Sequence, residues 1–301
     1  MHRRRFLNLG AAALAPARTR LLLGGDIMLC RYIGELARRN HDPAFPFRPI
    51  AALLASADIT FANLESPFSD QGRPVTAGMV FKAEPEMVEG LKLAGIDVVS
   101  TANNHARDRG VYGIEYTLRL LAANGIAAVG TGTDAAQAHA GAVIVRNGLR
   151  FGFLAYAQDP NNGNFTDTEP RVAAMDLATL RNDVAALRAR ADVVVVSMHG
   201  GVEYWTKPHP IQQAFARAAV EAGARIVVGH HPHVIQPWER IGNAVVFYSL
   251  GNLVFDQYER TATRRGLLAE VLMSGNEIAG VNTIPVEMSA GETRPVPGAA
   301  K

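Results

Sequence analysis

Short aliphatic runs that stop abruptly on glycine and on side chains able to bind a metal recur along this chain, and they constrain its fold more than any other feature. The sharpest instance is Arg225-Ile-Val-Val-Gly-His-His-Pro-His233. Ile226, Val227 and Val228, followed by Gly229, read as a strand buried on both faces, as in the centre of a parallel sheet. His230, His231 and His233 then emerge at the carboxyl end, where open α/β sheets place their ligands. Pro232 stiffens the turn, so His231 and His233 can converge on one centre, and neutral imidazole is the commonest metal ligand. A single loop histidine would read as solvated; three at one strand end point to a site.

The same figure recurs along the sequence. Arg20 to Asp26 reads as the first strand, with Gly24 and Gly25 expected to let the backbone pass close to a ligand and Asp26 held at the sheet edge. A helix is expected from Pro49, then a strand from Ala57 that ends in Asn63-Leu-Glu65. Glu84 to Leu93 has helical periodicity and closes at Gly95. The strand from Asp97 to Ala102 delivers Asn103-Asn104-His105. Asn104 offers a carbonyl ligand, and His105 suits a general acid or a stabiliser of developing negative charge. Asp108 is placed to orient that imidazole by accepting its second N–H; the same stretch also reads as a plain helix cap and turn.

Gly113 to Ala123 is expected as a helix, Ala127 to Gly130 as a short strand, and Ala142–Asn147 with Leu149–Tyr156 as a hairpin turning at Gly148. The polar loop from Gln158 to Phe165 reads equally as a substrate-selecting surface or as an ordinary surface loop. After a helix from Leu177 to Arg190, the strand Asp192 to Ser197 opens into Met198-His199-Gly-Gly-Val-Glu203-Tyr204, which adds His199 to the candidate ligands. A helix from Pro208 to Ala222 leads back to the three histidines. Val245 to Phe255 reads as one strand interrupted at Ser249–Asn252, and Leu267–Met273 with Glu277–Met288 as antiparallel edge strands. Glu203, Tyr204, His230 and Asn252 are the candidates for contact with a substrate.

Residues 1–17 differ in kind from the rest. Arg3-Arg4-Arg5-Phe6-Leu7, a weakly apolar stretch and Ala15-Pro-Ala17 read as a twin-arginine export signal, too short to span a bilayer. Its removal turns the formal charge of +2 into an excess of one acidic residue, and no basic patch interleaved with aromatics remains to suggest nucleic acid. The 301 residues show no linker and no repeat, which suits one α/β domain over residues 18–290 with a loose tail, 291–301. Cys30 is the only cysteine, so no internal disulfide forms, and it reads as a small core residue rather than a nucleophile.

Taken together, Asp26, Glu65, Asn104, His199, His231 and His233 form a set of oxygen and imidazole donors without thiolate. That set suits one or two ions of Mn, Fe or Zn better than Ca²⁺. Gly25-Asp26-Ile-Met28, Asn63-Leu-Glu65, Asn103-Asn104-His105, His199-Gly-Gly-Val-Glu203-Tyr204, Gly229-His-His-Pro-His233 and Tyr248-Ser-Leu-Gly-Asn252 together resemble the motif series of the CapA family of poly-γ-glutamate capsule biosynthesis proteins. That family is similar to the calcineurin-like metallophosphoesterases, so the resemblance implies a four-layer α/β/β/α sandwich of two mixed sheets.

It further implies Asp26 on a first metal, Glu65 as bridging carboxylate, Asn104 and His199 on a second metal, His231 and His233 completing both, and His105 as acid/base. Two departures stand out: Met28 where the phosphoesterases have a histidine, and Glu65 where they have an aspartate. The expectation is an exported, metal-dependent hydrolase acting on an amide or phosphate ester of cell-envelope or capsule material. The alternative is a non-catalytic assembly or export partner of a membrane-bound polymer synthase.

Overall fold

The computed structural model describes residues 18–71, 78–159 and 171–296. The expected leader, residues 1–17, and the loop from position 160 onward lie outside them. The chain begins with β1 (Arg18–Ile27), α1 (Arg31–Arg39), α2 (Ala51–Leu54), β2 (Ile59–Leu64), α3 (Val88–Leu93), β3 (Val98–Ser100), α4 (Gly110–Ala123) and β4 (Ala127–Val129). There follow α5 (Ala135–His139), the hairpin of β5 (Ala142–Arg146) and β6 (Leu149–Ala157), α6 (Leu177–Arg188), β7 (Val193–His199), α7 (Pro210–Ala222) and β8 (Ile226–His230). The last part runs β9 (Trp238–Ile241), β10 (Ala244–Phe247), β11 (Asn252–Val254), β12 (Arg265–Ser274), β13 (Glu277–Ser289) and β14 (Glu292–Pro295).

These strands make two sheets. The first has the order β14-β13-β12-β1-β2-β3-β4, with β11 also paired to β1; the second has the order β5-β6-β7-β8-β10-β9. In each, the central strands are parallel (β1 to β4, and β6, β7, β8 with β10) and the flanking ones antiparallel.

The period-two alternation of a strand sorts its residues into layers. Leu21 and Leu23 of β1 meet Phe61, Phe153, Val195 and Phe247 between the two sheets. Leu22 and Ala62 face the other way, onto Ile33 of α1, Leu54 of α2, Leu91 of α3 and Leu121 of α4. In the second sheet Val194 and Val196 pack on Leu180 and Val184 of α6 and Phe215 of α7. Helices therefore cover both outer faces, and the architecture is the four-layer sandwich of two mixed sheets. Each large apolar side chain buried in this way contributes about 1.5–3 kcal/mol, so the layering is strongly specified. Local signals set where the helices stop and start. At α7 the His209 side chain and Gln212 form a reciprocal cap, Pro210 opens the first turn, and Gly223 closes the helix in the left-handed region at φ 112°.

Several expectations change. Val245 to Phe255 is not one interrupted strand: β10 lies beside β8 in the second sheet, and β11 lies beside β1 in the first, so the chain crosses between sheets in between. β12 pairs directly with β1 inside the first sheet rather than at its edge. The tail expected to be loose beyond Gly291 instead forms β14 against β13; positions 297–301 lie outside the described residues. α1 was not anticipated, because Ile33, Gly34 and Ala37 are its only buried residues and leave too thin an apolar stripe.

Candidate metal centre

The parallel strands of both sheets turn their carboxyl ends to one rim. In the first sheet Asp26 stands opposite Asn63 on one side and Asn252 on the other; in the second, His199 stands opposite His230. The close approach of β1 and β11 depends on Gly25, where a Cβ would sit 1.9 Å from the carbonyl oxygen of Gly251. Gly24 likewise makes room for Leu253. The two glycines therefore admit a neighbouring strand, not the ligand they were expected to admit.

Asp26, Glu65 and His199 each present a donor atom within 4.8 Å of the others, and all three are buried. His233 bridges the two carboxylates, with Nδ1 3.3 Å from Asp26 Oδ2 and Nε2 3.6 Å from Glu65 Oε1. Nε2 of His199 lies 2.8 Å from Asn104 Oδ1, 3.2 Å from His231 Nδ1 and 3.9 Å from Glu65 Oε1. All six expected ligands are thus gathered in one place from five strand ends. His231 and His233 have φ of 95° and 57°, a left-handed backbone that non-glycine residues adopt at a cost of about 1–3 kcal/mol each. The turn sets His231 against His199 and His233 against Asp26 and Glu65.

A cation fits this arrangement. Glu65 is fully buried, and neither carboxylate oxygen has a hydrogen-bond partner among the described residues. An unpaired buried carboxylate costs several kcal/mol unless a positive charge faces it. Oxygen and imidazole donors are the ligand chemistry of first-row divalent ions.

The site's electrostatics follow from burial and crowding. Burial alone would raise the Asp26 carboxyl, but the imidazoles of His230 and His233 hold it well below the usual carboxylate range. Glu65 is pushed well above that range, mainly by burial and further by the charges of Asp26, Glu203 and Asp108. Burial and the neighbouring His231 drive His199 well below an ordinary imidazole, and burial with His233 takes His231 down to about 4. His233 goes the other way, to about 9: burial opposes its charge, but Glu65 and Asp26 outweigh it.

At one wall of the cleft Nδ1 of His105 lies 2.7 Å from Asp108 Oδ2, which also accepts the N–H of Phe81. The Phe81 ring stacks on His105 at 3.9 Å. Two cavities of about 280 and 320 Å³ meet at Asn104 and Glu203, one bounded by His105, Tyr204 and His233, the other by His199 and His231. Glu203 and Tyr204 therefore line the cleft.

His230 and Asn252 do not. His230 is 1% exposed, packed behind Asp26 with its Nδ1 3.4 Å from Oδ1. Asn252 is fully buried and places its Oδ1 2.9 Å from His233 Nδ1. Both sit behind the donors, where a substrate does not reach, and both were expected in front. Asn63 is a contributor that was not singled out: its Nδ2 donates to Asp26 Oδ1 at 2.9 Å and lies 3.2 Å from His199 Nδ1, joining the two sheets' contributions. Its place two residues before Glu65 was the available signal. Met28 is fully buried in the layer beneath α1, its sulfur 3.1 Å from Cys30 Sγ. Cys30 is itself buried, which pushes its thiol up to about 12 and leaves it a core residue.

Two face-to-face mixed sheets with a carboxylate and imidazole cluster at their shared rim make a metallophosphoesterase-like fold. The fold is also that of a solved phosphatase from Mycoplasma pneumoniae, which matches with a TM-score of 0.57 and 12% identity over 90% of this chain and 94% of that one. Within that class, the chain belongs to the family described as bacterial capsule synthesis protein PGA_cap, whose profile matches residues 20–257. It is 31% identical over 302 residues to the capsule biosynthesis protein CapA of Bacillus anthracis, covering 95% of this chain and 73% of that one. It is 32% identical over 276 residues to the PGA biosynthesis protein CapA of Bacillus subtilis, covering 90% and 72%.

Proposed function

We propose that this protein is an exported, metal-dependent hydrolase that cleaves an amide or phosphate ester in a capsule or cell-envelope polymer. The observation that carries this reading is the buried Glu65 carboxylate, without a hydrogen bond among the described residues and faced by His199 and His233. Asp26, Glu65, Asn104, His199, His231 and His233 would hold one or two ions of Mn, Fe or Zn. A divalent ion held there supplies Lewis acidity, which polarises the ester or amide oxygen and makes water a better nucleophile.

The chain's own residues do the rest. Asp108 accepts the Nδ1 proton of His105 and so leaves Nε2 to hold the proton that the leaving atom takes. Asn252 fixes the ring of His233, and Asn63 fixes both Asp26 and His199. Glu203 and Tyr204 orient the substrate, while Phe81 and Phe255 keep one wall of the cleft dry. The names of the Bacillus relatives support a capsule or polyglutamate polymer as the material handled. Arg3, Arg4 and Arg5 support export in the folded state by a twin-arginine-type signal.

Elemental analysis of wild type and His231→Ala tests the centre: near-stoichiometric metal in the first and depletion in the second are expected, and negligible metal in both rejects it. A screen of aryl phosphates and γ-glutamyl amides with added Mn²⁺ tests the reaction. A second reading, a non-catalytic partner of a membrane-bound polymer synthase, is favoured by Met28, which brings no metal donor from the position two residues after Asp26. Unimpaired capsule formation in a His105→Ala strain would select that reading.

A further inference from the structure

Outside the cleft, near the start of α1, a cavity of about 270 Å³ is lined by Arg31, Arg38, Lys82 and Arg109 against a single carboxylate, Glu84. We propose that this cavity is a subsite for the carboxylates of an anionic polymer chain, one or more units removed from the group held in the cleft. The proposal rests on the reading above that the cleft serves a capsule-type polymer.

Charge is the first argument. Lys82 pairs with Glu84 at 3.0 Å and Arg31 reaches Asp256 at 3.1 Å, whereas Arg38, exposed on α1, has no ion pair among the described residues. With four cationic side chains and one carboxylate, the lining carries an excess of positive charge in a concave, partly enclosed space, to which Arg38 contributes most directly. A carboxylate entering it meets guanidinium groups, the side chains best matched to its two oxygens.

Continuity with the cleft is the second argument. Between positions 79 and 82 the side chains alternate: Met79 and Phe81 line the cleft, while Val80 and Lys82 line the basic cavity. The wall between the two is thus one chain thick. Arg31 spans it, with its guanidinium carbon 5.8 Å from the centre of the Phe81 ring and Nη1 3.4 Å from Met79 Sδ. That ring is the one stacked on His105. On the far side, a larger cavity of about 460 Å³, also lined by Asp42 and Glu86, shares Gly34, Arg38 and Glu84 with the basic one, so the positive lining ends at Arg38. At Gly34 a Cβ would stand 3.7 Å from Arg38 Nη1, so the glycine leaves the floor of the groove low. An extended chain that leaves the cleft at His105 would cross the segment from Met79 to Lys82 beside Arg31 to reach Arg38. An isolated small substrate would use only the first part of that route.

The test is fluorescence anisotropy of a labelled γ-linked decaglutamate on the full-length, metal-loaded protein, with Arg38→Glu and Lys82→Glu compared to wild type. Each reversal is expected to weaken binding about ten-fold or more at low salt and to flatten its salt dependence. A γ-linked decaglutamine, uncharged, is expected to show no such difference. Metal content and melting temperature confirm that the variants are folded. Unchanged decaglutamate affinity in both reversals overturns the subsite. Metal-loaded wild type separates it from the cleft's reading: decaglutamate binding that both charge reversals weaken, without any metal-dependent hydrolysis by wild type, leaves the subsite standing and removes the hydrolase.

Discussion

Asp108 Oδ2 sits 2.7 Å from Nδ1 of His105 and accepts the Phe81 N–H as well, so one buried carboxylate fixes an imidazole and the aromatic ring stacked on it. In Asp108→Asn the imidazole loses the acceptor that sets its tautomer. Hydrolysis is expected to fall by about 10- to 100-fold with metal content unchanged, whereas His105→Ala is expected to cost about 10²- to 10⁴-fold. Steady-state rates beside elemental analysis check this; Asp108→Asn at wild-type rate would leave the pair a structural turn.

Glu65 separates the cost of an unpaired charge from the gain of a metal. Glu65→Gln removes a carboxylate that burial already pushes toward its neutral form, so the chelator-treated variant is expected to melt no lower than chelator-treated wild type. Adding Mn²⁺ at about one hundred times its dissociation constant is expected to stabilise wild type by about 2.7 kcal/mol and the variant far less. Thermal melts with and without metal give both comparisons.

Gly25 tests how tightly the rim is held. Because a Cβ there would overlap the Gly251 carbonyl, Gly25→Ala must push β1 and β11 apart and move Asp26. A loss of about 1–3 kcal/mol or more in chemical denaturation is expected, with weakened metal retention. A variant as stable as wild type would mean that this strand contact is softer than its geometry.

One pH dependence follows from the far end of the second sheet. Asp192 receives two side-chain hydrogen bonds and the backbone N–H of Arg150, and this pairing lowers its carboxyl to about 2. Since the folded value lies below the ordinary 3.8, the stabilisation is fully present above that value and is lost as pH falls toward about 2. The pair is partly exposed, so its worth is roughly 0.5–1 kcal/mol. Denaturation of Asp192→Ala and wild type should differ by that amount at neutral pH and converge only below about pH 2; a gap that stays constant would contradict the assignment.

The sequence by itself determined the strands and their polar tips. Runs such as Val193 to Val196 and Ile226 to Val228 are too uniformly apolar for anything but buried strands, and a strand that ends in His199 or in His230-His231-Pro232-His233 must deliver those side chains to the sheet's edge. The six candidate donors were therefore legible one strand at a time, and the resemblance of their motifs carried the four-layer fold. What stayed hidden were facts about neighbours far apart in the chain. Nothing local to Tyr248–Asn252 says that the chain crosses between sheets there, and nothing local to His230 or Asn252 says that each lies behind a donor rather than in front of it. Gly25 is a glycine because of Gly251, and Asn63 matters because of His199, partners more than a hundred positions away. Periodicity along a chain tells which face of an element is buried; only the packing of the two sheets decides what each buried group touches, and so which donors share a centre.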